Sequence, residues 1–267
     1  MLNIFCVGDV GIDTYPNEHK SYIGGCAYNV AFLLNELGSN KVTLIGTLGL
    51  DRWTGKLIEK IESHNIPFIP LKRTEDNLTL KITHTDGEKD FGHFEDKLLR
   101  EFQWKTSEIE KLDSADLLIA PYFEEIRPMV DSIIDLHGDK IVLDLHEVKH
   151  ISLERFNELA SKVKILHFGN KFESDEFYIR TSKMSDVIIS ITLGSLGSEL
   201  FINGVKYDCT PLVSENIVDT TGAGDAYLSR FIHGYSNGET IENLLEGSNQ
   251  YGAMALTYFG ATPGSQL

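Results

Sequence analysis

The sequence predicts an α/β fold built on a doubly wound, mostly parallel sheet with helices on both faces. The first observation behind this prediction is the alternation of short apolar runs with helical patterns through most of the 267 residues. The second is that several runs are apolar at nearly every position, as expected of parallel strands that helices cover on both sides.

The predicted strands are compact, mostly apolar runs. They lie at residues 2–7, 41–48, 117–120, 140–145, 165–168, 187–193 and 199–202. The predicted helices instead repeat apolar residues every three or four positions, which gives each helix one buried stripe. They lie at residues 29–36, 54–64, 127–137, 153–162, 226–235 and 241–258. No internal repeat or low-complexity linker separates these elements, so residues 1–267 are expected to form a single domain.

Two segments interrupt this alternation. Residues 13–24 lie between the first strand and the first helix, and residues 68–94 alternate polar and apolar side chains around a turn at Asp86-Gly87. Such alternation is typical of an antiparallel sheet with one face in water. We therefore expect a small β-sheet lid built from about 13–24 and 68–94, with an ordinary surface hairpin as the alternative.

Composition and charge limit the classes of function. Apolar residues make up 42% of the chain and aromatic residues 10%, which is enough for a globular core. The formal net charge of −16 argues against binding to nucleic acid and against electrostatic attachment to a membrane. No apolar run approaches the ~20 residues of a membrane span. A small-molecule partner is expected instead.

The cysteines and the N-terminus favour a cytoplasmic location. The three cysteines, Cys6, Cys26 and Cys209, are odd in number and lack the paired spacing of metal ligands, which fits a reducing compartment. The first residues already have the pattern of a strand and lack the basic segment of a signal peptide.

The most informative motif is Asp-Thr-Thr-Gly-Ala-Gly-Asp at residues 219–225, directly before a predicted helix. The small residues Gly222, Ala223 and Gly224 let backbone N–H groups converge on an anion, and the helix N-terminus adds partial positive charge. A carboxylate at Asp225 would repel that anion unless it takes a proton from a hydroxyl that attacks a phosphoryl group. The alternative is a plain turn with a helix N-cap.

A second group of candidate site residues follows the first strand. Asp9 and Asp13 lie where ligands of doubly wound sheets bind, beyond the carboxyl end of a strand. Short carboxylates that stay ionised are good acceptors for the hydroxyl groups of a sugar. For either residue alone, a solvated loop position is the alternative.

Two motifs resemble one family, the PfkB or ribokinase-like carbohydrate kinases. Residues 219–225 resemble its second signature, and residues 24–31, Gly-Gly-Cys-Ala-Tyr-Asn-Val-Ala, resemble its first. The resemblance implies a ribokinase-like fold with a β lid. It also implies that Asp225 is the general base and that Gly222, Ala223 and Gly224 form the anion hole. The acceptor would be bound by the residues Asp9, Asp13, Gly24, Gly25 and Asn29.

Within that family the chain is most similar to fructoselysine-type kinases. The likeness rests on the start of the chain, with Asp9, Asp13, Tyr15 and Pro16, and on residues 86–95 of the predicted lid.

The resemblance also implies where nucleotide and Mg²⁺ bind. Asn170 and Glu173 have the spacing of the Asn-x-x-Glu element that holds hydrated Mg²⁺, and we expect both on one face of a helix start. Residues 192–197 resemble the Thr-Leu-Gly-x-x-Gly element beside ATP. Nucleotide-binding residues are therefore expected at Thr192, Gly194, Gly197 and, in the adenine pocket, Asn249.

A monovalent cation is a further expectation of the resemblance. It would bind Asp219 and Thr221, with Gly260 and Gly264 on the facing loop, and K⁺ would then raise activity. The alternative is that Asp219 braces the turn.

These observations predict an ATP-dependent kinase that phosphorylates a hydroxyl of a sugar or sugar derivative. The alternatives are a nucleoside kinase of the same fold and a catalytically silent sensor, although a sensor has no need for the base at Asp225. No Walker A string or protein-kinase signature is present. An exposed edge of the lid would invite pairing with a second copy, so a homodimer through the lid is also expected.

Overall fold

The computed structural model describes residues 1–38, 40–85, 88–148, 151–210 and 217–267. The strands are β1 Asn3–Gly8, β2 Gly11–Tyr15, β3 Lys20–Gly24, β4 Lys41–Leu48, β5 Phe68–Lys72, β6 Leu78–Thr85, β7 Glu88–Glu95, β8 Leu117–Pro121, β9 Ile141–Glu147, β10 Ile165–Gly169, β11 Ile188–Thr192, β12 Ser198–Ile202 and β13 Val205–Cys209. The helices are α1 Cys26–Leu37, α2 Thr54–Ser63, α3 Lys97–Arg100, α4 Thr106–Ile109, α5 Arg127–His137, α6 Leu153–Ala160, α7 Asp175–Ser185, α8 Ala223–Ser236 and α9 Ile241–Ala255.

The large sheet has nine strands in the order β13-β12-β11-β10-β9-β8-β1-β4-β5. Its pairs from β5 to β11 are parallel, and the pairs β11–β12 and β12–β13 are antiparallel, so that β12 alone runs against the other strands of this sheet. The chain builds outward from β1 through β4 to β5 and then returns to β8 on the other side of β1. Connections that leave a strand in opposite directions open a crevice at its carboxyl end, so the fold places a cleft beyond β1 and β8.

Helices cover both faces of this sheet, which confirms the predicted fold class. Alternate residues of β1 show the arrangement: Ile4 and Cys6 pack with α1, α2, α8 and α9, whereas Phe5 and Val7 pack with α5, α6 and α7. All four side chains are at most 6% exposed. Each large apolar side chain buried in this way contributes roughly 1.5–3 kcal/mol to folding.

The small sheet has four strands in the order β3-β2-β6-β7. Ile82 is fully buried and packs with Tyr15 and Tyr22 beneath this sheet. The turn predicted at Asp86-Gly87 lies outside the described residues. Residues 68–72 were predicted within the lid, and this is wrong, because they form β5 of the large sheet, parallel to β4.

The burial of β5 explains that correction. Phe68 packs against the core on one face of the large sheet, while Ile69 and Leu71 pack against the core on the other. Its alternating pattern therefore reflects a sheet edge with both faces covered, not a sheet with one wet face.

The first helix begins three residues earlier than predicted, at Cys26. The Asp9 carboxylate accepts hydrogen bonds from the backbone N–H groups of Cys26 (2.9 Å) and Ala27 (3.1 Å), which satisfies two donors of the first turn. A cap supplied by a residue so distant in sequence leaves no local signal.

Among the described residues no helix is both long and apolar enough to cross a membrane. All three cysteines are present as free thiols.

A turn after β4 anchors the base of the small sheet. The buried side chain of Asn77 accepts from the Gly49 N–H (2.8 Å) and donates to the Asp51 carboxylate (2.6 Å). A Cβ added at Gly49 would lie 2.5 Å from the Asn77 nitrogen and the Glu75 oxygen, both backbone atoms. The chain before β6 therefore approaches Gly49 too closely for any side chain.

We predict that Gly49→Ala lowers the free energy of unfolding by about 1–3 kcal/mol, because the new methyl group meets backbone atoms that cannot move independently. Gly55→Ala in α2 is the matched control, since nothing lies within 4 Å of its added Cβ. We expect it to be neutral or to stabilise by up to about 1 kcal/mol. Urea denaturation of both variants measures the difference, and equal midpoints would contradict the close approach.

Candidate active site

A cleft of about 900 Å³ opens at the carboxyl ends of the central strands and beneath the small sheet. Most of the predicted site residues line it. They are Asp9, Asp13, Gly25, Asn29, Asn170, Thr192, Thr221, Gly222, Gly224 and Asp225. The others, which support the cleft or lie away from it, are Gly24, Glu173, Gly194, Gly197, Asp219, Ala223 and Asn249.

Asp225 lies in the first turn of α8 and is 7% exposed. One of its carboxylate oxygens accepts a hydrogen bond from Asn29 Nδ2 at 2.8 Å. Burial raises the pKa of Asp225 to about 7, and the negative charge of Asp144 adds to this shift. Nearby His146 and the Asn29 hydrogen bond oppose it. The carboxyl group therefore exchanges its proton near neutral pH, which is the property of a general base.

The backbone before Asp225 has the geometry that its small residues predicted. Gly222 is the N-cap of α8 with φ 77°, a left-handed conformation that favours glycine. A Cβ there would also lie 2.6 Å from the Cα of Ala261. Ala223 and Gly224 then form the start of the helix, where backbone N–H groups lack intrahelical acceptors. This turn can present N–H groups to an anion.

Asp13 lies on β2 and is 7% exposed at the cleft. Gly24 lies diagonally across from Asp13 on β3, where Tyr22 is directly opposite, and it allows this position because a Cβ on Gly24 would lie 2.5 Å from the Asp13 carboxyl carbon. The lack of side chains at Gly24 and Gly25 thus allows two close contacts. Gly25 (φ 101°) brings the start of α1 against Asp9, with 2.6 Å from a notional Cβ to the Asp9 carbonyl oxygen.

Only one end of the Asn29 side-chain amide has a hydrogen-bond partner among the described residues. Its nitrogen donates to Asp225, while its oxygen Oδ1 is buried and has no hydrogen-bond partner among the described residues. An unpaired buried acceptor is unfavourable by roughly 1–3 kcal/mol. A bound molecule that carries a hydroxyl group would satisfy it.

Sequence reasoning missed Asp144 and His146, which line the cleft at the end of β9. Between β9 and β10 the register shifts from His167↔Asp144 to Gly169↔Glu147, so β9 carries one extra residue. His146 lies in this bulge with φ 52°. Bulges of this kind re-aim side chains next to functional sites. The available signal was the polar residues that follow an apolar run, the same signal that identified Asp9.

The electrostatics of this pair follow from its neighbours. Asp144 accepts a hydrogen bond from the His146 backbone N–H at 2.9 Å. Burial alone would lower the pKa of His146, but the surrounding carboxylates, with Asp144 the largest contributor, raise it above its ordinary value. When it is protonated, the imidazole of His146 favours the ionised form of Asp225.

Further parts of the wall are aromatic and acidic, and sequence reasoning named only some of these residues. Three phenylalanines and two glutamates line the cleft under and beside the small sheet. They are Phe91, Phe94, Phe123, Glu125 and Glu147.

Asn170 and Glu173 lie in the loop before α7, not on a helix start as predicted. The helix begins at Asp175 because Ser174 caps it by accepting from the Phe177 N–H. Asn170 adopts φ 62° and donates its backbone N–H to the Thr192 carbonyl (2.8 Å), which joins the two elements predicted to hold Mg²⁺ and ATP. Asn170 and Glu173 are both exposed. Mg²⁺ keeps most of its waters, so an accessible carboxylate and amide fit it.

The residues predicted to bind the nucleotide form a second group. Gly194 (φ 57°) and Gly197 (φ 95°) shape the turn between β11 and β12. Asn249 lies on α9, and its Nδ2 is buried without an acceptor among the described residues. A donor in that position fits a heterocyclic base that carries acceptor atoms.

Asp219 lies behind the Gly222 turn and is 2% exposed. Its Oδ1 accepts from the backbone N–H (2.9 Å) and hydroxyl (2.7 Å) of Thr221. Its Oδ2 accepts from the Tyr15 hydroxyl and the Gly260 N–H, both at 3.0 Å. A cation bound to this carboxylate would face four hydrogen-bond donors. The residues present therefore do not fit the expected monovalent cation.

One family model and several known proteins match this chain over most of its length. The sequence model of the pfkB family carbohydrate kinases matches residues 1–121 and 146–266. A fructosamine kinase of Bacillus subtilis is 22% identical over 271 residues, which cover 97% of this chain and 93% of the relative. An ATP-dependent 6-phosphofructokinase of Thermoanaerobacterium thermosaccharolyticum is 25% identical over 276 residues, which cover 95% of this chain and 84% of the relative.

A solved structure supplies the fold comparison. The ribokinase of Thermotoga maritima matches 98% of this chain and 95% of its own with a TM-score of 0.82 at 19% identity. This likeness confirms the ribokinase-like fold that the resemblance implied. Asp144 lies between the two stretches that the family model matches, whereas Asp225 and the whole Gly222 turn lie inside the second. Since that model matches most of the sequence, the chain belongs to the pfkB family carbohydrate kinases.

Proposed function

We propose that this protein is an ATP-dependent kinase that phosphorylates a hydroxyl group of an amine-bearing sugar derivative, of the fructosamine or fructoselysine type. The observation that carries the proposal is the position of Asp225. Its carboxylate is buried at the start of α8, hydrogen-bonded to Asn29, and shares one cleft with Asp13.

The proposed chemistry assigns the base and the anion hole to neighbouring residues of one turn. Asp225 accepts the proton of the acceptor hydroxyl as that oxygen attacks the terminal phosphoryl group. The backbone N–H groups of Gly222, Ala223 and Gly224 stabilise the negative charge that develops on the phosphoryl oxygens. Fixed donors in a water-poor cleft need little reorganisation when the reaction occurs.

The acceptor would be held by groups from two directions. Asp13 on the lid accepts from sugar hydroxyls, and the unpaired Oδ1 of Asn29 accepts from another. Because the other end of the Asn29 amide holds Asp225, a hydroxyl bound at Oδ1 lies close to the proposed base. Both carboxylate oxygens of Asp9, by contrast, accept hydrogen bonds from the start of α1, so Asp9 supports the site.

The charge of the cleft supports an amine-bearing acceptor. Six carboxylates line it, and no lysine or arginine is found among its described lining residues. The six are Asp9, Asp13, Glu125, Asp144, Glu147 and Asp225. A cationic amine is attracted to such a cleft, whereas a phosphorylated sugar would be repelled.

ATP and Mg²⁺ complete the proposal. Bound Mg²⁺ would neutralise phosphate charge, which an acidic cleft cannot do by itself. Asn170 and Glu173 would hold the hydrated ion, while Thr192, Gly194, Gly197 and Asn249 would form the nucleotide end.

The same proposal takes the chain as one domain whose β2, β3, β6 and β7 form the lid over the acceptor. A homodimer through the lid and a cytoplasmic location remain predictions, which gel filtration and cell fractionation would test.

An acceptor panel tests the substrate class. We expect kcat/KM for fructoselysine to exceed that for fructose about tenfold or more, because one buried charge-assisted contact contributes roughly 1.5–3 kcal/mol. Fructose 6-phosphate should be poorer than fructose. A preference for phosphorylated sugars would contradict the amine assignment, and a preference for cytidine or adenosine would establish a nucleoside kinase. Binding without turnover of any acceptor would establish a sensor.

We predict that Asp225→Asn lowers kcat by about 10²–10⁴-fold, since the variant keeps the shape of the side chain and loses the base. The Kd for ATP should stay within a few-fold, as measured by calorimetry. Activity within a few-fold of the unmodified protein would remove Asp225 from this role.

The pH dependence provides a test of the residues around Asp225. The base acts when ionised, so kcat/KM should rise with pH and level off above the pKa of about 7. Asp144→Asn removes a negative charge and should shift the rise to lower pH. His146→Gln removes a positive charge and should shift it to higher pH.

The control for this comparison is Asp135→Asn, an exposed position of α5 whose side chain is 70% accessible. Its pH profile should match that of the unmodified protein. Shifts of Asp144→Asn and His146→Gln in the same direction would contradict the assigned electrostatics.

A further inference from the structure

The Asp219 carboxylate is the point where three separate segments of the chain meet. Thr221 belongs to the turn that leads into α8, Tyr15 ends lid strand β2, and Gly260 lies in the C-terminal loop. An ionised carboxylate offers about four acceptor positions. The four donors described for Asp219 supply that number, two on each oxygen.

Tyr15 is held firmly enough to act as a fixed donor. It is 0% exposed, and its ring packs edge-on against Tyr22 at 5.4 Å and Phe259 at 6.2 Å between centroids. Its hydroxyl also lies 3.0 Å from the Thr221 hydroxyl. Burial raises the pKa of Tyr15 well above its usual range, so the hydroxyl keeps its proton.

The C-terminal loop joins the same assembly to the lid. The Ile23 N–H donates to the Ser265 carbonyl at 2.9 Å, and the Leu267 N–H donates to the Ser21 carbonyl at 2.8 Å. Residues 260–267 therefore lie between β3 and the Gly222 turn, against which Ala261 packs. The lid strands and the proposed anion hole share one hydrogen-bonded support.

We propose that Tyr15 is a positioning residue whose hydroxyl, together with the Gly260 N–H, occupies the carboxylate of Asp219 in place of a monovalent cation. The Gly222 turn is then fixed from the lid, and phosphoryl transfer needs no K⁺. Asp13 lies two residues before Tyr15 and so on the same face of β2, which links acceptor binding to the orientation of the anion hole. This inference rests on the proposed function, so one of its two tests does not require activity.

The first test measures cation binding directly. The unfolding temperature of the unmodified protein is compared in potassium chloride and in tetramethylammonium chloride at equal ionic strength. An ion that binds only the folded state would raise it. We expect no difference, and a K⁺-specific increase would overturn the proposal.

The second test measures kcat with the best acceptor and saturating ATP and Mg²⁺. The unmodified protein should have the same kcat in both salts, within about twofold. Tyr15→Phe should lower kcat about tenfold or more, because a buried charged acceptor loses a donor, while the KM for the acceptor changes less. A fivefold stimulation by K⁺, or an unchanged kcat for Tyr15→Phe, would overturn the proposal.

Tyr22→Phe is the matched control, since Tyr22 packs against Tyr15 and does not donate to Asp219. Its kcat should equal that of the unmodified protein. If Tyr15→Phe does not fold, the response of the unmodified protein to K⁺ still decides the question. If no acceptor is phosphorylated in either salt, the proposed function fails, and the unfolding temperatures still test whether a cation binds.

Discussion

The burial of four aspartates, Asp9, Asp13, Asp144 and Asp225, in one cleft is the constraint on which the rest of this site depends. The negative charge of each of the three innermost carboxylates is compensated by different groups. Asp9 accepts hydrogen bonds from the backbone N–H groups of Cys26 and Ala27 in α1, and Asp225 accepts one from the amide of Asn29, two residues beyond Ala27 in the same helix. Asp144 accepts a hydrogen bond from the His146 backbone N–H, and the protonated form of the His146 imidazole adds positive charge. Burial, together with the negative charge of Asp144, raises the pKa of Asp225 to about 7, so this carboxyl group can exchange a proton near neutral pH.

The start of α1 and the start of α8 are thereby joined across the cleft. Asn29 and Asp225 bring together two segments 196 residues apart, and helices α1 and α8 pack on the same side of the sheet behind them. The glycines permit this approach: Gly25 lets α1 begin against Asp9, and Gly222 lets α8 begin against Ala261. The geometry of the proposed reaction is therefore supported by rigid elements, and only the acceptor side is formed by the small sheet.

Tyr15 connects the small sheet to the Gly222 turn through the Asp219 carboxylate. A lid that contacts only its substrate could close without affecting the phosphoryl end. Here Tyr15, at the end of the strand that carries Asp13, donates its hydroxyl to Asp219, directly behind the turn that we propose as the anion hole. The small sheet and the Gly222 turn are in this way connected by hydrogen bonds within the chain.

The sequence by itself determined the fold class, the family, and the local geometry of the Gly222 turn, because apolar periodicity and glycine-rich turns are properties of neighbouring residues. It also indicated Asp13, Asn29 and Asp225 as members of one site. Only the tertiary structure decided that β5 belongs to the large sheet, that Asp9 caps α1, and that Asp144 and His146 join the cleft through a bulge. It also decided that hydrogen-bond donors surround Asp219. Each of these depends on contacts between residues far apart in sequence, and such contacts leave no local pattern to read.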